Sequence, residues 1–322
     1  METRTLESPP SILPLYARAA APLIPGASLL PFVPGRGREI PEIELALAGV
    51  RADAERVAAY ARVCGFSLRD HLPPTYPHVL AFPLHMAVMA DGSFPFGAVG
   101  LVHIENRIEQ RRRIGLDEEL DLRVRPTGLE PHPSGRTFGL VTEASAAGET
   151  VWASTSTMLR RGARGGDTPG DPGGTENPQG TTTRELHQVP GRRDGEFDAT
   201  RGAEWQLAGD LGRRYAAVSG DRNPIHMHSL TARPLGFKAA IAHGMWTKAR
   251  CLAAIESRLP DAFGAQVRFR KPIFLPARVE FLSGGETEID FAVRDSRRHT
   301  PHLDGRMTPL EANPGSERKR TE

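Results

Sequence analysis

The sequence predicts a duplicated α+β fold, each copy laying a long helix on a curved antiparallel sheet. Three observations carry this expectation. Tyr60-Ala61-x-Val63-x-Gly65 returns as Tyr215-Ala216-x-Val218-x-Gly220, at an offset of 155 residues. Farther along, Val102-x-Ile104 and Ile108 return as Val267-x-Phe269 and Ile273, at an offset of 165. Between the copies, GARGGDTPGDPGGTENPQGTTT (162–183) has no apolar periodicity and is crowded with Gly and Pro, the composition of a flexible linker. Two similar units around a linker each need a helix to cover the apolar face of a sheet.

Composition agrees with a globular chain. Of 322 residues, 39% are hydrophobic and 33 are glycine, enough for two cores of ordinary size. The net charge is only +2, from 41 basic and 39 acidic residues, so charge gives no argument for a nucleic-acid partner. Cys64 and Cys251 make neither a disulfide framework nor a metal spacing, and a reducing, cytoplasmic location is expected. The longest apolar run, Val79 to Ala90, is too short for a membrane span and contains Pro83 and His85.

In chain order, residues 1–37 are Pro-rich. The stretch ARAAAPLIPGASLLPFVPG mimics a secretion signal, but Pro22, Pro25, Pro31 and Pro34 interrupt it; it reads as an irregular, extended arm lying on the protein. The first copy spans 38–161. It opens with a strand over Arg38–Leu47. Asp53 is placed to cap a helix that ends at Gly65. The turn-rich LPPTYP leads to a second helix, Val79–Ala90. Strands follow over Gly100–Gln110, Glu119–Val124, Thr137–Ala144 and Thr150–Leu159. The second copy spans 184–310, with a strand at Arg184–Val189, the segment Trp205–Leu207 and a helix stopped by Gly220. Another helix starts at Gly244, and AQVRFRKPIFLPARVEFLSG and ETEIDFAVRD read as long strands. Residues 311–322 are polar and read as a disordered tail.

Chemistry concentrates between Tyr215 and Trp246. Asp221 and His226 stand five apart in SGDRNPIH. Gly220 ends the preceding helix, and Pro224 keeps Asn223 out of helical angles, so the chain bends and leaves in extended form. Such a bend aims both side chains into one space. At Gly244 a new helix begins, with Met245, Ala249, Leu252, Ile255 and Leu259 at helical spacing. Its first N–H groups lack internal partners and carry the positive end of the dipole. A glycine there admits a ligand oxygen close to the backbone, as an oxyanion site requires.

SGDRNPIHMH followed by AHGMW resembles the hydratase motif of MaoC-like, (R)-specific enoyl-thioester hydratases. The resemblance implies a double hot-dog fold. It also implies reversible addition of water to a trans-2-enoyl thioester, as in fatty-acid metabolism, without a cofactor. Carried onto this chain, Asp221 and His226 hold the water and the Gly244 N–H binds the thioester carbonyl. Asn223 braces the turn locally, and Tyr215 and His243 support the site. The partner implied is an acyl-CoA or acyl-carrier-protein thioester, with a homodimer as a possible assembly.

Alone, Asp221 reads as a turn residue and His226 as a core histidine; together with Asn223, Pro224 and Gly244 they read as a site. The first copy lacks the set. Phe66 stands where Asp221 would be, and AFPLHMA replaces AHGMW. It therefore reads as non-catalytic, an apolar wall for the acyl chain with Phe66, Leu80, Phe82 and Met86 as lining. His226, His228 and His243 suggest a metal trio, with His226-x-His228 on a strand. No carboxylate or cysteine spacing completes it, so no metal is expected. Arg111, Arg112 and Arg113, and separately Arg268, Arg270 and Lys271, are candidate phosphate contacts or, more simply, solvated strand faces. A hot-dog thioesterase and a non-catalytic acyl-binding subunit are the rival functions.

Overall fold

The computed structural model describes residues 1–21, 39–162 and 199–311. The expected linker after Gly162, the strand at Arg184–Val189 and the tail beyond Glu311 lie outside them. Local chemistry sets the helix ends that matter most. Asp53 accepts from the Arg56 N–H (2.8 Å) and starts α2 (Ala54–Cys64), which Gly65 ends at φ 84°. In the second copy α4 (Leu211–Ser219) ends at Gly220, φ 80°. Both glycines take left-handed angles that a side chain disfavours.

The strands are β1 (Glu2–Leu6), β2 (Ile43–Arg51), β3 (Val102–Gln110), β4 (Glu119–His132), β5 (Gly135–Ala146) and β6 (Glu149–Arg161) in the N-terminal half. The C-terminal half adds β7 (Arg201–Leu207), β8 (Phe263–Phe269), β9 (Ala277–Gly284), β10 (Ile289–Asp295) and β11 (Pro301–Pro309). Among the described residues they form one sheet in the order β1-β2-β4-β5-β6-β3-β8-β11-β10-β9-β7. Leaving out β1, the second half repeats the first in reverse, so a pseudo-twofold axis passes between β3 and β8. These two pair antiparallel from Glu105↔Arg268 to Gln110↔Phe263. The fold is the α+β double hot-dog that the sequence predicts.

Each half wraps its sheet around a central helix, α3 (Tyr76–Met89) or α7 (Gly244–Ala254). Tyr76, Ala81, Leu84, Met86, Val88 and Met89 of α3 are all buried, which is why its sequence is apolar all round. The halves are tied across the axis. Trp246 Nε1 donates to the Val63 carbonyl (3.0 Å), and Lys248, with no exposed surface, reaches the Asn106 and Ala265 carbonyls. The repeated tyrosines, Tyr60 and Tyr215, meet with ring centroids 6.0 Å apart.

The structure corrects several sequence expectations. The N-terminal arm is ordered where it is described: β1 pairs parallel with β2, and α1 (Ile12–Ala20) buries Leu15 and Ala19 in the core. Its apolar residues serve docking. The first-copy strand lies at Ile43–Arg51, later than Arg38–Leu47. After Pro224 the chain does not extend; it forms the short helix α5 (Pro224–Met227) and then α6 (Ser229–Ala232). Proline removes an N–H that a first helical turn leaves unused. β11 carries no clear alternation in sequence, because Gly305, Asp304 and Pro301 interrupt it, yet it pairs with both β8 and β10. No helix among the described residues is long and apolar enough to cross a membrane.

Candidate active site

A cavity of about 640 Å³ lies between the two halves, and Asp221, His226, His243 and Gly244 all line it. Asp221 follows the Gly220 cap on the turn between α4 and α5. Its Oδ1 accepts from the Asn223 N–H (3.1 Å) and from the Tyr16 hydroxyl (3.0 Å). Its Oδ2 stands 3.8 Å from His243 Nε2. Burial pushes this carboxyl's pKa up, but His243, His226, the Asn223 amide and Tyr16 outweigh it, and the pKa falls below the usual aspartate value.

His226 is the third residue of α5 and is buried. Its Nδ1 lies 2.8 Å from the Ile241 carbonyl and therefore carries the proton. Nε2 keeps its lone pair. Burial lowers the pKa of His226 against the pull of Asp221 and the Ile241 carbonyl, so the ring is neutral at neutral pH. His243 caps α7. Its Nε2 donates to the Asp221 carbonyl (2.9 Å), and burial and His226 take its pKa down to about 3. Tyr215 packs on the His243 ring at 4.8 Å. Asn223 caps α5, its side chain accepting from the Ile225 N–H at 3.5 Å.

Gly244 is the first residue of α7, and its N–H meets no protein acceptor among the described residues. A Cβ at this position would stand 3.0–3.2 Å from the Phe269 ring. One polar atom from each of Asp221, His226 and His243 lies within 4.8 Å of the others, a spacing that one water can bridge. A carboxylate, a bare imidazole nitrogen and an unpaired helix-start amide thus face one cavity. They can take a proton, return it, and steady a developing oxyanion.

The three ligand atoms are also close enough for a metal ion. The donor set fits one poorly: His243 Nε2 is committed to a carbonyl, and the His226 and His243 rings stack face to face, centroids 3.7 Å apart. His228 is not part of the group. It is exposed, beyond α5 rather than on a strand, with Nδ1 3.5 Å from Arg213.

The expected acyl lining is corrected in part. Phe82 lines the cavity, but Phe66 and Met86 are buried in the core and Leu80 packs against it from outside the cavity wall. The wall from the first copy is not simply apolar: His78, His85 and His103 line it beside Val79, Met89 and Leu101. Burial takes His78 to about 4 and His103 to about 3, so both are neutral. For His78 a signal was present, since it matches His243 at the offset of 165; His85 and His103 have none, matching Arg250 and Arg268. Tyr16 had no such signal; 205 residues separate it from Asp221. Of the two basic clusters, Arg268, Arg270 and Lys271 line the cavity. Arg270 pairs with Asp304 there; Arg112 and Arg113, away from the cavity, pair with Glu118 (2.7 Å) and Asp261 (2.8 Å).

The family model described as "MaoC like domain" matches residues 197–294. The chain is 36% identical over 295 residues to 3-hydroxyacyl-thioester dehydratase X of Mycobacterium tuberculosis, covering 91% of this chain and 96% of that protein. A crystal structure of that protein, HtdX, superimposes with a TM-score of 0.69 at 32% identity, covering 83% of this chain and 100% of the other. A MaoC-like dehydratase from Phytophthora capsici shares the fold, with a TM-score of 0.64 at 18% identity, over 84% of this chain and 96% of its own. With this relationship spanning nearly the whole chain, and Asp221, His226 and Gly244 facing one cavity, the chain belongs to the MaoC-like dehydratase family.

Proposed function

We propose that this protein interconverts (R)-3-hydroxyacyl thioesters and trans-2-enoyl thioesters, as a hydro-lyase of fatty-acid metabolism. The observation that carries the reading is the convergence of Asp221, His226 and the Gly244 N–H on one cavity. In the hydration direction a water sits between Asp221 Oδ2 and His226 Nε2. Its oxygen bonds to C3 as one O–H bond breaks, and His226 takes that proton. The electron pair of the double bond moves toward the thioester oxygen, which the Gly244 N–H steadies. His226 then returns the proton to C2. Asp221, held ionised, orients the water, while the Ile241 carbonyl fixes the His226 tautomer. Dehydration runs the same steps backward. General acid–base steps of this kind are worth about 10²–10⁴-fold.

The carrier half of the substrate, whether CoA or an acyl-carrier protein, bears phosphate. Arg161, Arg268, Arg270 and Lys271 on the cavity wall suit it. The test is a series of enoyl-CoA and enoyl-carrier substrates with chiral analysis of the product. Loss of enoyl absorbance with an intact thioester and an (R)-3-hydroxy product supports the reading. Release of free thiol identifies a thioesterase instead. No turnover of any substrate, with binding retained, identifies an acyl-binding subunit.

A further inference from the structure

The N-terminal helix reaches the reacting centre. We infer that Tyr16 is a positioning residue for Asp221, orienting the carboxylate so that one oxygen, here Oδ2, faces the substrate. The inference rests on the proposed reaction, but its geometry stands without it. The Tyr16 hydroxyl accepts the Arg222 N–H at 2.7 Å, which leaves its own proton for Asp221 Oδ1 at 3.0 Å. Oδ1 also takes the Asn223 N–H at 3.1 Å. Two donors therefore occupy one carboxylate oxygen, and the other is left toward His243 and the cavity. The two bonds fix the plane of the carboxylate, so that one oxygen is engaged and the other is presented to the cavity.

Tyr16 is held for this task rather than resting there by chance. β1 pairs with β2 from Glu2↔Ile43 to Leu6↔Leu47, anchoring the start of the chain. Leu15 and Ala19 of α1 are buried in the core. Ile12, one turn before Tyr16, packs so tightly on the turn carrying Asp221 that a Cβ on Gly220 would lie 2.8 Å from its Cδ1. A hydroxyl on a docked helix orders its partner at little entropic cost. Burial and the neighbouring carboxylate push the phenol's pKa far above its ordinary value, so the hydroxyl stays a donor throughout the working range. Tyr16 lies outside the stretch matched by the family model, 197–294, so the site extends beyond that domain.

The test is Tyr16→Phe, which keeps the ring and removes the donor. Losing a hydrogen bond to a charged group should lower kcat about 10- to 100-fold with KM nearly unchanged. It should also raise the titration midpoint of the Asp221 carboxyl, read by ¹³C NMR of aspartate-labelled full-length protein, with Asp221→Asn assigning the resonance. Other groups facing Asp221 hold the remainder of its environment constant: His243, His226, Arg222, Tyr215 of α4, His78 of α3 and His103 of β3. Val151→Ala is the control. It removes packing from the core beneath β6, away from the cavity and from Tyr16, so kcat and the midpoint should stay near wild type even if the melting temperature drops. An unchanged Asp221 midpoint in Tyr16→Phe overturns the inference, as does a Val151→Ala variant that reproduces the Tyr16→Phe loss. If wild-type protein turns over no enoyl thioester, the proposed function fails, while the midpoint still decides the role of Tyr16.

Discussion

His226 and His243 stack with ring centroids 3.7 Å apart and planes 25° from parallel, and neither can be protonated without facing the other. Their tautomers are set from opposite sides, by the Ile241 carbonyl on His226 and the Asp221 carbonyl on His243. His226→Gln should cost about 10²–10⁴-fold in kcat, with circular dichroism unchanged. Asp221→Asn should fall in the same range, and the double variant should lose little more if both act on one water as proposed. Additive losses would separate the two residues into different steps.

Acid should destabilise the protein. Burial lowers the pKa of His78 to about 4, of His103 and His243 to about 3, and of His85 and His226 below the ordinary value. Their unfolded value is near 6.5, so below that pH the unfolded chain binds more protons than the folded one. Stability is complete above about pH 6.5 and is lost as pH falls toward 4. At pH 5 the loss for each histidine that stays neutral is about 2 kcal/mol. Thermal melts from pH 7.5 to 4.5 check this; a flat melting temperature across that span would show that the histidines are not buried and neutral.

Gly244→Ala tests the helix-start amide. The added methyl meets Phe269 at 3.0–3.2 Å on the cavity wall, so α7 or the ring must shift by a few tenths of an ångström. The amide shifts with it. We expect a loss of about 10²-fold or more in kcat, by analogy with removal of one oxyanion donor. The melting temperature should fall only slightly. A full-rate variant would place the thioester carbonyl elsewhere.

Lys248 is a stability determinant of the interface between the halves. Its Nζ meets Asn106 O (3.2 Å), Asn106 Oδ1 (2.5 Å) and Ala265 O (2.8 Å), and Asn106 passes its own amide protons to Ser154 and Ser156. Lys248→Met leaves the buried Asn106 Oδ1 without its donor and strips a shared donor from two buried carbonyls. The expected cost is about 2–4 kcal/mol in urea unfolding. A neutral result would mean that water or a relaxed Asn106 replaces the lysine Nζ.

Dialysis against a strong chelator should leave the rate unchanged, because His243 Nε2 already serves the Asp221 carbonyl. Inactivation reversed by a divalent ion would instead make Asp221, His226 and His243 a metal centre.

Much of this was legible in the chain. The offsets of 155 and 165 gave the duplication, and SGDRNPIH with AHGMW named the residues that line the cavity, because a cap, a proline turn and a helix start are local events. Acyl lining was harder to read. Phe66 and Met86 are as apolar as Phe82, and only packing decides which of them faces the cavity and which the core.

The sequence by itself determined the repeated unit, the helix ends at Gly65 and Gly220, and the local placing of Asp221, His226 and Gly244 at a cap, a turn and a helix start. Each depends on residues within a turn or two of one another. Only the tertiary structure decided that Tyr16 meets Asp221, that His85 and His103 of the first half line the cavity, and that Lys248 is buried across the axis. Those relationships join residues 142 to 205 positions apart, or surfaces of separate elements, and no local propensity encodes which distant surfaces will meet.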